Sequence, residues 1–266
     1  GDVGGRALFE HHPEALAHVT VPDPVVLTDV DTPEVFEAVR RQGETVNRAP
    51  DFSALRGIIS DMDGVLWRGQ DPQPGLDDFF ALLQERDLPY VLVTNNSSHT
   101  PQEYVDKLAG LGITTTLDHV LGSAEAAAVY VAAQSPGAEV YAIGGPGVPH
   151  LTFPMEAGLA PGNGAQLAAL EAATGVEPIV VGKPERLLYL QAMARTGTSP
   201  ARTLMIGDRL DTDILGAAQL GMPTALILTG ISGRDALDRS PIRPTGVYDD
   251  LPALIAAWRT ALEPVG

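Results

Sequence analysis

Apolar residues along this chain fall into two rhythms. Short apolar runs, many of them β-branched, occur at Ile58–Ser60, Tyr90–Val93, His119–Leu121, Val140–Ile143, Ile179–Val181, Thr203–Ile206 and Thr224–Leu228. Runs of this length bounded by turn residues read as buried strands. Between them, helical patterns cover Leu76–Arg86, Pro101–Leu111, Ser123–Ala133, Ala165–Thr174, Glu185–Thr196, Ile214–Leu220 and Leu251–Leu262. Thr100 followed by Pro101 is a helix start with a capping hydroxyl and a proline at the first helical position. From about residue 55 the alternation of strand and helix predicts an α/β fold with a doubly wound parallel sheet.

The polar residues that break this pattern stand at strand ends. Gly57–Leu66 carries an apolar run into Asp61 and Asp63, followed by Gly64. Two acids at the end of a buried strand are costly unless a metal ion or hydrogen bonds compensate them; the alternative is a pair of turn aspartates. Thr94 and Asn95 follow a second strand, Lys183 a third, and Asp208 with Asp213 a fourth. In a parallel sheet these ends share one edge. Clustered carboxylates suit Mg2+, which prefers oxygen ligands, and a lysine and a hydroxyl can hold phosphoryl oxygens. One carboxylate can then act as nucleophile and a second as general acid and base. The chemistry that needs this set is phosphoryl transfer. For Asp213 the competing role is capping the helix that starts at Ile214; for Lys183 and Asp208 it is a surface ion pair. Asp211 is expected to cap or face solvent.

The motifs Asp61-Met62-Asp63-Gly64-Val65, Thr94-Asn95-Asn96-Ser97, Gly182-Lys183-Pro184 and Gly207-Asp208-Arg209-Leu210-Asp211-Thr212-Asp213-Ile214 together resemble the four motifs of the haloacid-dehalogenase phosphatase superfamily. Trp67-Arg68-Gly69 and Gly221-Met222-Pro223-Thr224 are similar to its NagD-like branch, which contains 4-nitrophenylphosphatases. The resemblance spans about residues 55–250. It implies a Rossmann-like core and Mg2+-dependent hydrolysis of small phosphate monoesters through an aspartyl-phosphate. On that reading Asp61 is the nucleophile and Asp63 the general acid and base. Thr94, the Asn95 backbone amide and Lys183 hold phosphate. Asp61, the Asp63 carbonyl and Asp208 hold the metal, and Asp213 orients Lys183 or a metal-bound water.

Composition narrows the partners. The 266 residues carry 34 acidic and 17 basic side chains, a formal net charge of -17. Such a surface repels phosphate backbones, so no nucleic-acid partner is expected, while a small anionic substrate needs a local positive centre. Lysine occurs only at positions 107 and 183, which makes each notable; Lys107, within a helical pattern, suits a solvated surface residue. With no cysteine there are no disulfides or thiolate sites. No apolar run reaches membrane-spanning length and no signal pattern is visible. A cytoplasmic protein is expected, and the missing initiator Met suggests a fragment or a processed chain. Oligomeric state is left open.

Residues 1–50 read as a separate segment plus linker. Gly1-Asp2-Val3-Gly4-Gly5-Arg6 and Asp29-Val30-Asp31-Thr32-Pro33-Glu34 resemble the C-terminal tail of molybdenum-cofactor nucleotidyltransferases, which implies the remnant of a fusion. The phosphatase-like core is expected over 51–137 and 176–266. Residues 138–175 stand where the family inserts an α/β cap, and are too short for the whole of it. Weak or unusual leaving-group selectivity follows, as does a poorly packed cap remnant. The competing function is a non-catalytic domain serving a nucleotidyltransferase partner.

Overall fold

The computed structural model describes residues 49–139, 152–155, 158–161 and 163–263. Its centre is β1 (Gly57–Ser60), buried at all four positions. β1 pairs in parallel with β4 (Tyr90–Thr94) on one side and β8 (Thr203–Gly207) on the other, with Ile58 opposite both Tyr90 and Leu204. β5 (Val120–Gly122), β9 (Thr224–Ile227) and β10 (Gly246–Tyr248) complete a six-stranded sheet in the order β10-β9-β8-β1-β4-β5, every pairing parallel. The doubly wound sheet expected from the sequence is therefore present.

Successive side chains of a strand point to opposite faces. Ile58 and Leu92 pack on one face against α1 (Leu76–Glu85) and α8 (Leu251–Leu262), where Phe79, Leu82, Leu254 and Trp258 are buried. Ile59, Val91 and Met205 pack on the other against Leu188, Tyr189 and Met193 of α5 (Arg186–Thr196) and Ala126 of α3 (Ser123–Gln134). Both faces are covered, which explains why the strands read as continuous apolar runs rather than alternating ones. α2 (Pro101–Gly110) starts as its sequence predicts: Thr100 and Glu103 form a reciprocal capping box ahead of the proline.

Several expectations change. The Ile179–Val181 run is not a strand. Strands of this sheet are buried on both faces, whereas Ile179 stays 67% exposed and only Val181 is buried. The helix expected from Ile214 opens with a π-type turn, Leu210–Ile214, and continues as α6 (Leu215–Gln219). Strand β10 and α7 (Arg234–Arg239) were not anticipated. After the first motif the chain forms a two-residue antiparallel pair, β2 (Trp67–Arg68) with β3 (Asp71–Pro72). Within 138–175, β6 (Thr152–Met155) and β7 (Gly158–Pro161) pair antiparallel, with no further strand joined to them among the described residues, and precede α4 (Asn163–Thr174). The Val140–Ile143 strand lies outside the described residues.

Candidate active site

Strand order reverses at the centre of the sheet. From β1 the chain steps to β4 and β5 on one side, and β8, β9 and β10 fill the other. Crevices form at such switch points, beyond the carboxyl ends of the strands. Asp61 leaves β1 there with its amide donating to the Ile206 carbonyl, 2.8 Å. Asp208 leaves β8 beside it, and Asp213 returns from the π-type turn. Oxygens of these three buried carboxylates lie within 4.8 Å of one another.

Lys183 supplies the counter-charge. Its Nζ lies 2.6 Å from Asp61 Oδ1 and 2.7 Å from Asp213 Oδ1, and the residue is only 3% exposed. Burial works against the ammonium, but Asp213 and Asp61 outweigh it and hold it above the ordinary lysine range. Burial pushes Asp61 well above the usual carboxylate range, with Lys183 pulling it down and Asp213 and Asp208 pushing it up. Burial, then Asp213, raises Asp208 to about 6 against the pull of the Ile231 amide. One ammonium does not neutralise three buried carboxylates, so a proton or a divalent cation must supply the rest.

The second oxygens show which acids are committed. Asp213 Oδ2 accepts from the Arg209 amide at 3.1 Å, so this residue is tied on both sides and does not cap the following helix. Asp208 Oδ2 accepts from the Ile231 amide at 2.8 Å, whereas its Oδ1 is buried with no hydrogen-bond partner among the described residues. An orphaned carboxylate oxygen facing an acid cluster fits a divalent cation with oxygen ligands. Main chain closes around this carboxylate: a Cβ at Gly230 would overlap Asp208 Oδ2, and one at Gly64, where φ is +88°, would stand 2.5 Å from it.

The lysine is held by Asn95 across 88 residues of sequence. Lys183 N donates to Asn95 Oδ1 at 2.7 Å and Asn95 Nδ2 donates to the Lys183 carbonyl at 2.6 Å, all buried. A Cβ at Gly182 would lie 2.6 Å from Asn95 Oδ1, so glycine is needed for this approach. Thr94, buried beside it at the end of β4, accepts from the Asn96 amide at 2.9 Å. Asp63 stands outside the acid cluster. It is exposed and accepts at Oδ1 from the indole N–H of fully buried Trp67, 2.7 Å.

Two family models match the chain, one described as haloacid dehalogenase-like hydrolase over residues 58–152 and one as HAD-hydrolase-like over residues 180–254. A 5'-nucleotidase of Bacillus subtilis, YutF, is 32% identical over 249 positions that cover 75% of this chain and 97% of the relative. The chain belongs to the haloacid dehalogenase-like hydrolases. An acid sugar phosphatase of Staphylococcus aureus is 30% identical over 76% of this chain and 97% of its own length. The 4-nitrophenylphosphatase of Thermotoga maritima superposes with a TM-score of 0.70 at 26% identity, over 78% of this chain and 99% of its own. The NagD-like branch expected from the motifs is supported. Against the nucleotidase, 75% of 266 residues is about 200, fewer than the 249 aligned positions, so about 50 positions of the relative have no counterpart in this hydrolase. The resemblance of residues 1–47 to a nucleotidyltransferase tail finds no support: both matched segments lie elsewhere, and the stretch lies outside the described residues.

Within this hydrolase, the strand-end motifs bring together Asp61, Lys183, Asp208 and Asp213, with Asn95 locked to Lys183. Two contributors escaped the sequence reading. The Asn95 side chain was not given a role, because its partner is main chain and leaves no residue signature. Lys107, expected to be a solvated helix residue, instead stands 4.1 Å above the Trp67 ring and donates to the Gly69 carbonyl at 2.7 Å. The rarity of lysine in the chain was the available signal. Asp211 is exposed, as expected, and pairs with Arg209 at 2.8 Å.

Proposed function

We propose that this phosphoric monoester hydrolase is an Mg2+-dependent phosphatase of small phosphorylated metabolites that works through an aspartyl-phosphate on Asp61. The observation that carries this reading is the buried cluster of Asp61, Asp208 and Asp213 around Lys183, at the switch point of the sheet. The names of the relatives, a nucleotidase and a sugar phosphatase, support the monoester class.

In the first step an Asp61 oxygen forms a bond to phosphorus while the bond from phosphorus to the alcohol oxygen breaks. Asp63 gives its proton to the departing oxygen. In the second step water attacks phosphorus, Asp63 takes its proton back, and the Asp61–phosphorus bond breaks to release phosphate. Lys183, the Thr94 hydroxyl and the Asn95 main-chain N–H hold phosphoryl oxygens. Asp213 holds the Lys183 ammonium in place. Mg2+ would be held by Asp61, Asp208 and the Asp63 main-chain carbonyl, and supplies positive charge that offsets the repulsion between nucleophile and phosphate. Trp67, by fixing one oxygen of Asp63, leaves the other to carry the proton.

The core of this enzyme is taken as residues 51–137 and 176–266, the shortened cap as 138–175, and residues 1–50 as a separate segment. The roughly 50 positions missing relative to the nucleotidase, and the stretch left between the two matched segments, support a reduced cap. A cytoplasmic location is part of this reading; among the described residues no helix is long and apolar enough to cross a membrane. The test is release of 4-nitrophenolate from 4-nitrophenyl phosphate. Hydrolysis that needs Mg2+ and disappears in Asp61→Asn is expected, and background-level release in Mg2+ overturns the proposal.

A further inference from the structure

A cleft of about 600 Å3 opens beside Asp63, lined among others by Gln70, Asn96, His99, Tyr104 and Lys107. None of the four strand-end motifs explains it beyond Asp63 and Asn96. On the reading above, which this inference rests on, Asp63 protonates the departing alcohol, so the alcohol must lie on the Asp63 side of the phosphate. A large cap would normally supply contacts there. In this chain the insertion is reduced, and the core itself has to contact the alcohol.

The cleft is furnished for a ligand with a polar end. Trp67 and Tyr104 stack at 6.3 Å between centroids and form a buried aromatic wall. Over that wall stands Lys107, one of only two lysines in 266 residues. Its ammonium is fixed by the Trp67 ring and by one hydrogen bond, to the Gly69 carbonyl. An ammonium has three donors, so two remain for a ligand. Two acids line the cleft and each has partners: Asp63, whose charge reaches Lys107, accepts from the Trp67 indole at Oδ1, and Glu103 accepts at Oε2 from the Thr100 amide and hydroxyl while its Oε1 faces His99 Nδ1 at 3.8 Å. With a chain charge of -17, a fixed cation is what draws an anion to this point.

We infer that this cleft is the subsite for the alcohol portion of the substrate, and that Lys107 favours alcohols bearing a second anionic group such as a carboxylate. Lys107 then does at the leaving group what Lys183 does at the phosphate. Lys107 is half-buried, so its preference is moderate: a hydrogen bond to a charged group at a partly solvated position corresponds to about tenfold in kcat/KM.

The experiment compares 3-phosphoglycerate with glycerol 3-phosphate, which differ by a carboxylate in place of a hydroxymethyl group, with 4-nitrophenyl phosphate as reference, all in Mg2+. The parent enzyme should favour 3-phosphoglycerate about tenfold in kcat/KM. Lys107→Met should collapse that ratio towards one, and Lys107→Arg should keep most of it. A parent ratio near one, or a ratio unchanged in Lys107→Met, overturns the inference while the phosphatase reading stands. An equal loss on all three esters in Lys107→Met also overturns it, by assigning Lys107 to the support of Trp67 and Asp63 alone. If the parent turns over none of the esters, the phosphatase reading itself fails and takes this inference with it.

Discussion

Replacing Asn95 with alanine tests how the chain delivers Lys183 to its carboxylates. The Asn95 amide satisfies both the N–H and the carbonyl of Lys183, at 2.7 and 2.6 Å, in a site where both residues are buried. Truncation leaves two main-chain groups without partners. Each unsatisfied buried group costs about 1–3 kcal/mol, so the loss is about 2–6 kcal/mol. For a folded body of this size, at about 2–4 °C per kcal/mol, that lowers the thermal midpoint by roughly 4–24 °C. Activity should suffer as well, because the same clamp positions an ammonium 2.6 Å from Asp61, and a shift of about 1 Å in a catalytic group can cost on the order of a hundredfold in rate. Asn95→Asp keeps the size of the side chain but loses the donor to the Lys183 carbonyl, so it should not rescue. Thermal and urea unfolding, read beside kcat for 4-nitrophenyl phosphate, measure both effects. A midpoint within about 2 °C of the parent, or a large stability loss with kcat intact, would refute the clamp.

Other consequences are equally concrete. Gly230→Ala places a methyl against Asp208 Oδ2; about 1–3 kcal/mol of overpacking is expected, together with a smaller thermal shift on adding Mg2+, and an undiminished Mg2+ shift would count against Asp208 as a ligand. Lys183→Met leaves Asp61 and Asp213 without their buried counter-charge, and about 3–5 kcal/mol should be lost in chemical denaturation of the metal-free protein; a neutral result would contradict the ion pairs. Asp208, raised to about 6 in the fold from about 4 when unfolded, stabilises the metal-free protein most below pH 4, and that contribution is lost as pH rises through 6. Mg2+ needs the ionised form, so the rise in thermal midpoint on adding Mg2+ should be several degrees larger at pH 7.5 than at pH 5; an equal rise at both would sink the argument.

Much of this was readable in the sequence because parallel strands buried on both faces are largely apolar, with only hydroxyls such as Ser60 and Thr203 inside them, and charged residues start where the sheet ends. Asp61, Thr94 and Asp208 mark such ends, and each stands at the end of a strand of the central sheet. Lys183 was read from a strand that does not form. Its run, Ile179–Val181, has strand composition, but pairing depends on where the fold carries the run, and this one stays largely exposed, which composition does not record. Asp213 was ambiguous between cap and partner for the same kind of reason: a carboxylate ahead of a helix looks alike in either role until its neighbours are known. Its burial and its 2.7 Å contact with Lys183 decide the matter. Lys107 was misjudged because helical periodicity places it towards solvent, and the short β2–β3 pair that brings Trp67 beneath it has no periodicity to detect.

The central claim is that Asp61 is the nucleophile, and trapping the phosphoenzyme tests it most directly. The chain is mixed with a slowly hydrolysed phosphate monoester in Mg2+, quenched in acid within the first turnover, digested and read by peptide mass spectrometry. One hydroxylamine-labile phosphoryl group on Asp61, absent from Asp61→Asn and from the metal-free sample, is the predicted result. Hydrolysis that persists in Asp61→Asn, with no phosphoryl group on the Asp61 peptide of the parent, would contradict it.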